Sequence, residues 1–126
     1  FLQTHSTNPL LTLNTITKSI EVFFSKLNKY DSLFSVTRMK TRFYSKEGKP
    51  INHKYGELLR TQDLDPLFEE NSNLYIFSKS SFLRSKNRIG KNPYHFVTNK
   101  YESIDIDDNE DFEFAKSLIE SKIHDT

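Results

Sequence analysis

Tyr101-Glu102-Ser103-Ile104-Asp105-Ile106-Asp107-Asp108-Asn109-Glu110-Asp111-Phe112-Glu113-Phe114-Ala115 changes its period part-way along. Ile104 and Ile106 alternate with Asp105 and Asp107, which predicts a short strand with the isoleucines on one face and the carboxylates on the other. From Phe112 the spacing is helical: Phe112, Ala115, Ile119 and Ile123 form one stripe, widened by Leu118. A strand ending on two carboxylates therefore runs into a helix. Two like-oriented carboxylates suit a hard cation such as Mg²⁺, which takes oxygen ligands and keeps some water. The same residues also read as a capping box, with Asp107 at the N-cap and Glu110 three residues on. An EF-hand loop is excluded: its sixth position would be Glu110 instead of Gly, and its twelfth Lys116 instead of a bidentate Glu.

Working outward, the 126 residues suffice for one domain or part of one. Eleven Phe and six Tyr supply core bulk. A formal net charge of +1 gives no global field favouring nucleic acid or a membrane surface. The absence of Cys excludes disulfides, thiolate metal sites and Cys nucleophiles within the segment. No apolar run approaches the ~20 residues that span a bilayer, and no signal peptide is visible, so a cytoplasmic protein is expected. The chain opens without Met and in strand-like sequence, which reads as the C-terminal part of a larger protein.

From the N-terminus, Phe1 to His5 reads as a short buried strand. A helix follows, capped near Thr12 or Asn14, with Ile16, Ile20, Phe23, Phe24 and Leu27 as its inner stripe. Ser32 to Met39 holds the next strand, which makes a βαβ unit with parallel strands. Residues 41–52 suggest a hairpin turning at Gly48, and Thr61 to Pro66 an ordered polar loop. Asn73 to Phe77 is a strand, Ser80 caps a short helix, and Tyr94 to Val97 is a further strand.

Taken together, these pieces resemble the C-terminal half of a cytidylyltransferase of the acylneuraminate type. Leu2-Gln3 with Asn8-Pro9-Leu10 is similar to the family's "LQ-x-T-S-P-L", with two extra residues between Gln and Pro. Gln62-Asp63-Leu64 and Asn71-Ser72-Asn73-Leu74-Tyr75-Ile76 resemble "R-Q-x-L-P … N-G-x-x-Y-I". Gly90-Lys91 with Tyr94 resembles, more loosely, a glycine-and-tyrosine turn, and Ser103 to Asp107 with Asp111, Phe112 and Ala115 resembles "S-I-D-I-D-x-x-x-D-F-x-x-A".

The resemblance implies an α/β protein: a three-layer, Rossmann-like nucleotide-binding fold present as its C-terminal part, residues 1–126, with a dimerisation insertion at about 40–72. It implies a homodimeric enzyme that joins CTP and an acidic nine-carbon sugar into a CMP-sugar and pyrophosphate. Asp107, assisted by Asp105, would hold Mg²⁺. Gln3, Arg60, Gln62, Tyr75 and Lys91 would bind substrate. Phe43, Tyr44, Leu64, Leu67 and Phe68 would lie at or near the dimer contact.

The sequence departs from the family in places. Thr61 and Glu69 stand where substrate arginines are expected, and two pocket Phe positions fall near Arg88 and Ile89. These departures leave sialic, legionaminic, pseudaminic or another acidic sugar open. Lys79, Arg84, Lys86, Arg88 and Lys91 read first as a solvated basic face, second as an anion site. His5, His53, His95 and His124 lack ligand spacing and receive no role. Only Gly48, Gly56 and Gly90 occur, so no Gly-rich phosphate loop is present, and the segment alone should not turn over CTP. The competing reading is a non-catalytic sugar- or partner-binding module derived from the same fold.

Overall fold

The computed structural model describes the backbone of residues 1–124 and the side chains of residues 1–122. The elements run β1 (Leu2–Thr4), α1 (Leu13–Ser25), β2 (Ser32–Met39), a 3₁₀ turn (Thr61–Asp63), β3 (Leu67–Phe77), α2 (Lys79–Ser85), β4 (Pro93–Val97) and α3 (Asn109–His124). Strands β1, β3, β2 and β4 form one mixed sheet in that order. β3 is antiparallel to both neighbours, while β2 and β4 are parallel. The arrangement is a mixed α/β domain compatible with a Rossmann-like fold.

β1 and β2 run in the same direction, as the βαβ reading expected, but they are not adjacent. β3 lies between them and pairs with both. At eleven residues it begins at Leu67, well before the expected Asn73. Its Leu74 and Ile76 join Leu33 of β2 and Phe23 of α1 as the buried core, with Leu11, Val22, Tyr94 and Phe96 packed against it. β1, expected to be buried, is exposed at all three residues. As the end strand of the sheet, it has a neighbour on one side only.

The inner face of α1 also differs from the stripe read in sequence. Thr12 caps the helix as expected, its side chain accepting from Thr15 N. Of the five apolar residues assigned to the interior, Phe23 is buried and Phe24 is 64% exposed. Leu13, Ile16, Ile20, Phe23, Phe24 and Leu27 fall within about 100° of one another around the helix, and it is the Phe23 edge of that stripe that is buried. The seam runs instead along Ser19, Val22 and Phe23. Ser19 is fully buried and satisfies its hydroxyl on Ile16 O at 2.7 Å. A small residue there lets the helix backbone approach the sheet.

Between β2 and β3 the hairpin forms in minimal form, as a Tyr44–Pro50 antiparallel bridge. Gly48 takes φ +82°, and Ser45 N donates to Lys49 O at 2.8 Å. Leu64, expected near a partner subunit, is instead buried within this chain. α2 starts two residues earlier than read: Ser78, not Ser80, is the N-cap, in a reciprocal capping box with Ser81.

The loop from residue 87 to residue 92 is stapled to the start of β2. Gly90 N donates to Ser32 Oγ at 2.9 Å, Lys91 N to Asp31 Oδ2 at 3.0 Å, and Asn92 N to Asp31 Oδ1 at 3.2 Å. A Cβ on Gly90 would meet the Asp31 carboxylate at 2.4–2.6 Å. That carboxylate is held by two backbone donors and Ser32, so it has little room to yield. Gly90→Ala is therefore expected to destabilise the protein by about 2 kcal/mol, the usual scale of overpacking, measured by urea denaturation.

Candidate substrate face and acidic segment

One row of residues crosses the sheet. Gln3 of β1 pairs with Tyr75 of β3, Tyr75 with Phe34 of β2, and Phe34 with His95 of β4. Directly opposed residues share a face, so the four lie together on the side away from the Leu33–Leu74–Ile76 core. The Phe34 and His95 rings meet edge-on at 4.8 Å, and Phe68 approaches His95 at 5.8 Å.

Tyr75 is the hub of the row and is 0% exposed. Its hydroxyl is 3.1 Å from Glu70 Oε1 and 3.1 Å from Ser72 Oγ. The Arg88 guanidinium lies over its ring at 3.7 Å, and Arg88 Nη1 faces His5 Nε2 at 3.4 Å. Burial pushes the phenol above its ordinary value of 10.0. The Glu70 carboxylate adds to that rise, while the Ser72 hydroxyl and the Arg88 charge oppose it. Tyr75 is therefore a neutral hydrogen-bonding group at physiological pH.

A bulge brings Glu70 and Ser72 to the phenol. The β2–β3 register shifts between Phe34 and Val36, and Ser72 turns through a left-handed φ of 60°. Asn71 holds the bulge: its side-chain nitrogen donates to Thr37 Oγ1 at 3.0 Å and Thr98 Oγ1 at 2.7 Å, and its oxygen accepts from Asn73 N at 3.2 Å.

The remaining substrate candidates lie elsewhere. Arg60 pairs with Asp63 at 3.1 Å in the 3₁₀ turn, and the reoriented Gln62 amide accepts from the same guanidinium at 3.1 and 3.2 Å. Arg60 and Gln62 are thus brought together, but no recorded contact joins them to the Gln3–Tyr75 row. For Lys91, the loop staple uses the backbone N–H, and the side chain is exposed.

The acidic segment differs from its sequence reading in two ways. Residues 104–106 form no strand ladder. Ile106 N donates to Thr7 O at 2.9 Å, Asn8 Nδ2 donates to Ile104 O at 3.2 Å, and Asn73 Nδ2 donates to Glu102 O. One backbone bond and two side-chain amides hold the segment, and among the described residues no strand pairs with it in a ladder. The helix cap also moves by one residue. Asp108, not Asp107, accepts from Asp111 N at 2.9 Å, and Asp111 Oδ2 accepts in return from the N–H groups of Asp107 and Asp108.

Asp105 and Asp107 are both exposed, and among the described residues neither carboxylate has a hydrogen-bond partner. Carboxylate oxygens are of the kind Mg²⁺ takes together with phosphate oxygens and water, but the strand expected to set Asp105 and Asp107 on one face does not form. Among the described residues no group of three or more acidic, His or Cys side chains is placed to bind a metal without such help. Along α3, Ala115 is buried while Phe112 and Ile119 remain largely exposed, and the Ile123 side chain lies outside the described residues.

Comparison with known proteins places this geometry in context. No family model matches the chain. Post-translational flagellin modification protein B of Campylobacter coli is 26% identical over 119 residues, covering 90% of this chain and 50% of that protein. The N-acylneuraminate cytidylyltransferase of Streptococcus agalactiae serotype V is 33% identical over 92 residues, covering 72% of this chain and 21% of that enzyme. The serotype III enzyme is 31% identical over 91 residues. This chain is a relative of the acylneuraminate-type cytidylyltransferases. It spans about half the length of the flagellin modification protein and about a fifth of the streptococcal enzymes.

Within that family pattern, Ser72 occupies the Gly position of "N-G-x-x-Y-I" and adopts the left-handed backbone that Gly would take freely. Arg88, near a pocket Phe position, lies on the Tyr75 ring and is not simply part of a solvated basic face. Sequence reasoning missed His5, Phe34 and His95, because it searched histidines for metal-ligand spacing. Gln3, Phe34, Tyr75 and His95 each lie on a different strand, so only the register of the ladders aligns them. It also missed Glu102. This carboxylate is 3% exposed and accepts from Thr12 N at 2.9 Å, Thr12 Oγ1 at 2.5 Å and Thr15 Oγ1 at 2.7 Å, tying the acidic segment to the start of α1.

Proposed function

We propose that this segment is the sugar-binding and metal-binding part of a CTP-dependent nucleotidyltransferase that makes a CMP-activated acidic sugar. The observation that carries this reading is the Gln3–Tyr75–Phe34–His95 row, in which Gln3 and His95 are exposed and the buried, neutral Tyr75 lies beneath the Arg88 guanidinium. Gln3 offers amide donors and acceptors to sugar hydroxyls, and the His95 and Phe34 rings offer flat surface to the pyranose face. In the reaction the anomeric hydroxyl oxygen of the sugar bonds to the α-phosphorus of CTP. The bond to the bridging oxygen breaks, the hydroxyl proton is released, and pyrophosphate leaves. Asp107, with Asp105, would hold Mg²⁺, which supplies charge neutralisation on the phosphates. The protein's contribution is placement: the sugar on the sheet face, the carboxylates at the start of α3.

The fuller reading is a cytoplasmic homodimer with the fold's three layers complete in the whole protein and the arm at residues 40–72 at the subunit contact. Among the described residues no helix is long and apolar enough to cross a membrane. The arm exposes Tyr44, Ile51, Tyr55 and Leu58, the last 97% exposed. These apolar groups, with Phe43, Leu67 and Phe68, are the expected contact in place of buried Leu64.

The test is pyrophosphate release from CTP and Mg²⁺ with sialic, legionaminic and pseudaminic acids. The full-length protein is expected to turn over at least one, the 126-residue segment none. Gln3→Ala should raise the sugar KM about tenfold without changing the CTP KM. Sedimentation of the full-length protein should give a two-fold dimer at micromolar concentration. Turnover by the isolated segment would refute the dependence on the rest of the protein, and a monomer would remove the arm from the subunit contact.

A further inference from the structure

We propose that Arg88 is the receptor for the carboxylate of the acidic sugar. The inference rests on the sugar-binding reading of this sheet face and goes further by assigning the group that reads the acid. A guanidinium carries five N–H donors in one plane. One flat side of Arg88 lies on the Tyr75 ring at 3.7 Å, and Nη1 donates to His5 Nε2 at 3.4 Å. That single, long contact is its one hydrogen bond among the described residues, although the side chain is half-buried. The acidic group closest in the network, Glu70, is hydrogen-bonded at the phenol end of Tyr75 and forms no ion pair with Arg88. Most of the donors therefore remain available in a partly dehydrated position, where a bidentate oxyanion contact is strong.

The position is also prepared in advance. Lys86 ends α2 in a left-handed conformation, Ile89 N donates to Asn87 Oδ1 at 3.0 Å, and Asp31 and Ser32 hold residues 90–92. Arg88 is thus carried on a stapled loop and clamped by stacking, so little rotamer freedom is lost on binding. Gln3, the register partner of Tyr75, lies next to it to read a neighbouring hydroxyl. The expected substrate arginine positions hold Thr61 and Glu69, neither of which can bind a carboxylate as a cation would. A carboxylate of the sugar and a phosphate of the nucleotide are both oxyanions that a guanidinium can grip, and the experiment separates them.

The experiment uses the full-length protein as wild type, Arg88→Gln and Arg88→Lys. Calorimetry without nucleotide would compare sialic, legionaminic and pseudaminic acids, each with its methyl ester. Steady-state kinetics would give KM for the acid and for CTP, and thermal melts would report folding. Wild type is expected to bind at least one acid tenfold or more tighter than its ester. Arg88→Gln should abolish that preference, raise the acid KM about thirtyfold and leave the CTP KM and kcat nearly unchanged. Arg88→Lys should fall between them, because a point charge replaces a planar fork. If Arg88→Gln melts early, the folded Arg88→Lys variant carries the comparison. An acid-over-ester preference that survives undiminished in either folded variant, or a KM rise confined to CTP, overturns the inference. So does a wild type that binds none of the acids. Acid-selective binding without CTP turnover supports the carboxylate receptor and defeats the nucleotidyltransferase reading, so the two fail separately.

Discussion

Asp107→Asn in the full-length protein is expected to lower kcat/KM about a hundredfold, equivalent to about 2.7 kcal/mol of transition-state stabilisation. The expectation rests on a division of labour between two consecutive aspartates, Asp107 and Asp108. The cap of α3 belongs to Asp108, whose Oδ1 accepts from Asp111 N at 2.9 Å. Asp107 contributes its backbone N–H to that motif, and its carboxylate stays exposed and free. An Asn at position 107 keeps the N–H and nearly the same shape, so the melting temperature should hardly move. It removes the negative charge a Mg²⁺ ligand needs. Asp108→Ala is the mirror experiment: about 1 kcal/mol less stability from the lost cap, with the Mg²⁺ dependence of rate unchanged. A Mg²⁺ titration of rate alongside thermal melts reads both. Full activity of Asp107→Asn at low Mg²⁺ would remove the metal from this segment.

Glu102→Ala should produce the largest loss of stability of any single side chain considered, about 3 kcal/mol by urea denaturation. The carboxylate is buried and accepts from Thr12 N, Thr12 Oγ1 and Thr15 Oγ1. Its negative charge also sits at the N-terminus of α1, where the helix dipole favours it. Removing it takes the acceptor from Thr12 N and the Thr15 hydroxyl in a partly buried site, while Thr12 Oγ1 keeps Thr15 Oγ1 as a partner at 3.1 Å, and each donor left unsatisfied is costly. Glu102→Gln keeps an acceptor oxygen but loses the charge and adds two N–H groups among donors, so it should recover less than half of the loss. A cost below about 1 kcal/mol for Glu102→Ala would mean that water replaces the carboxylate, and that the link from the acidic segment to α1 is not structural.

The sequence by itself determined the elements whose signals are local. Thr12 followed by a 3.6-residue pattern specified α1, the Leu33-Phe34-Ser35-Val36 stretch specified β2, and the period change near Asp107 placed the start of α3 within a residue or two. The motif order also determined the family relationship, because short signatures survive where overall identity is 26–33%.

Tertiary structure alone decided the neighbours. Sheet order depends on contacts between distant segments, so the insertion of β3 between β1 and β2 is not written in either strand. The rotation of α1 that buries Ser19 in place of Phe24 depends on which sheet face is available. The same holds at the candidate site. Alternation sorts the residues of each strand into two faces, but only register brings Gln3, Phe34, Tyr75 and His95 into one row. Likewise, composition shows a basic cluster around Arg88, but only a loop stapled by Asp31 and Ser32 lays that guanidinium on a buried tyrosine. Local propensity acts within a few residues along the chain, whereas a binding face is assembled from hydrogen bonds and packing between residues dozens of positions apart.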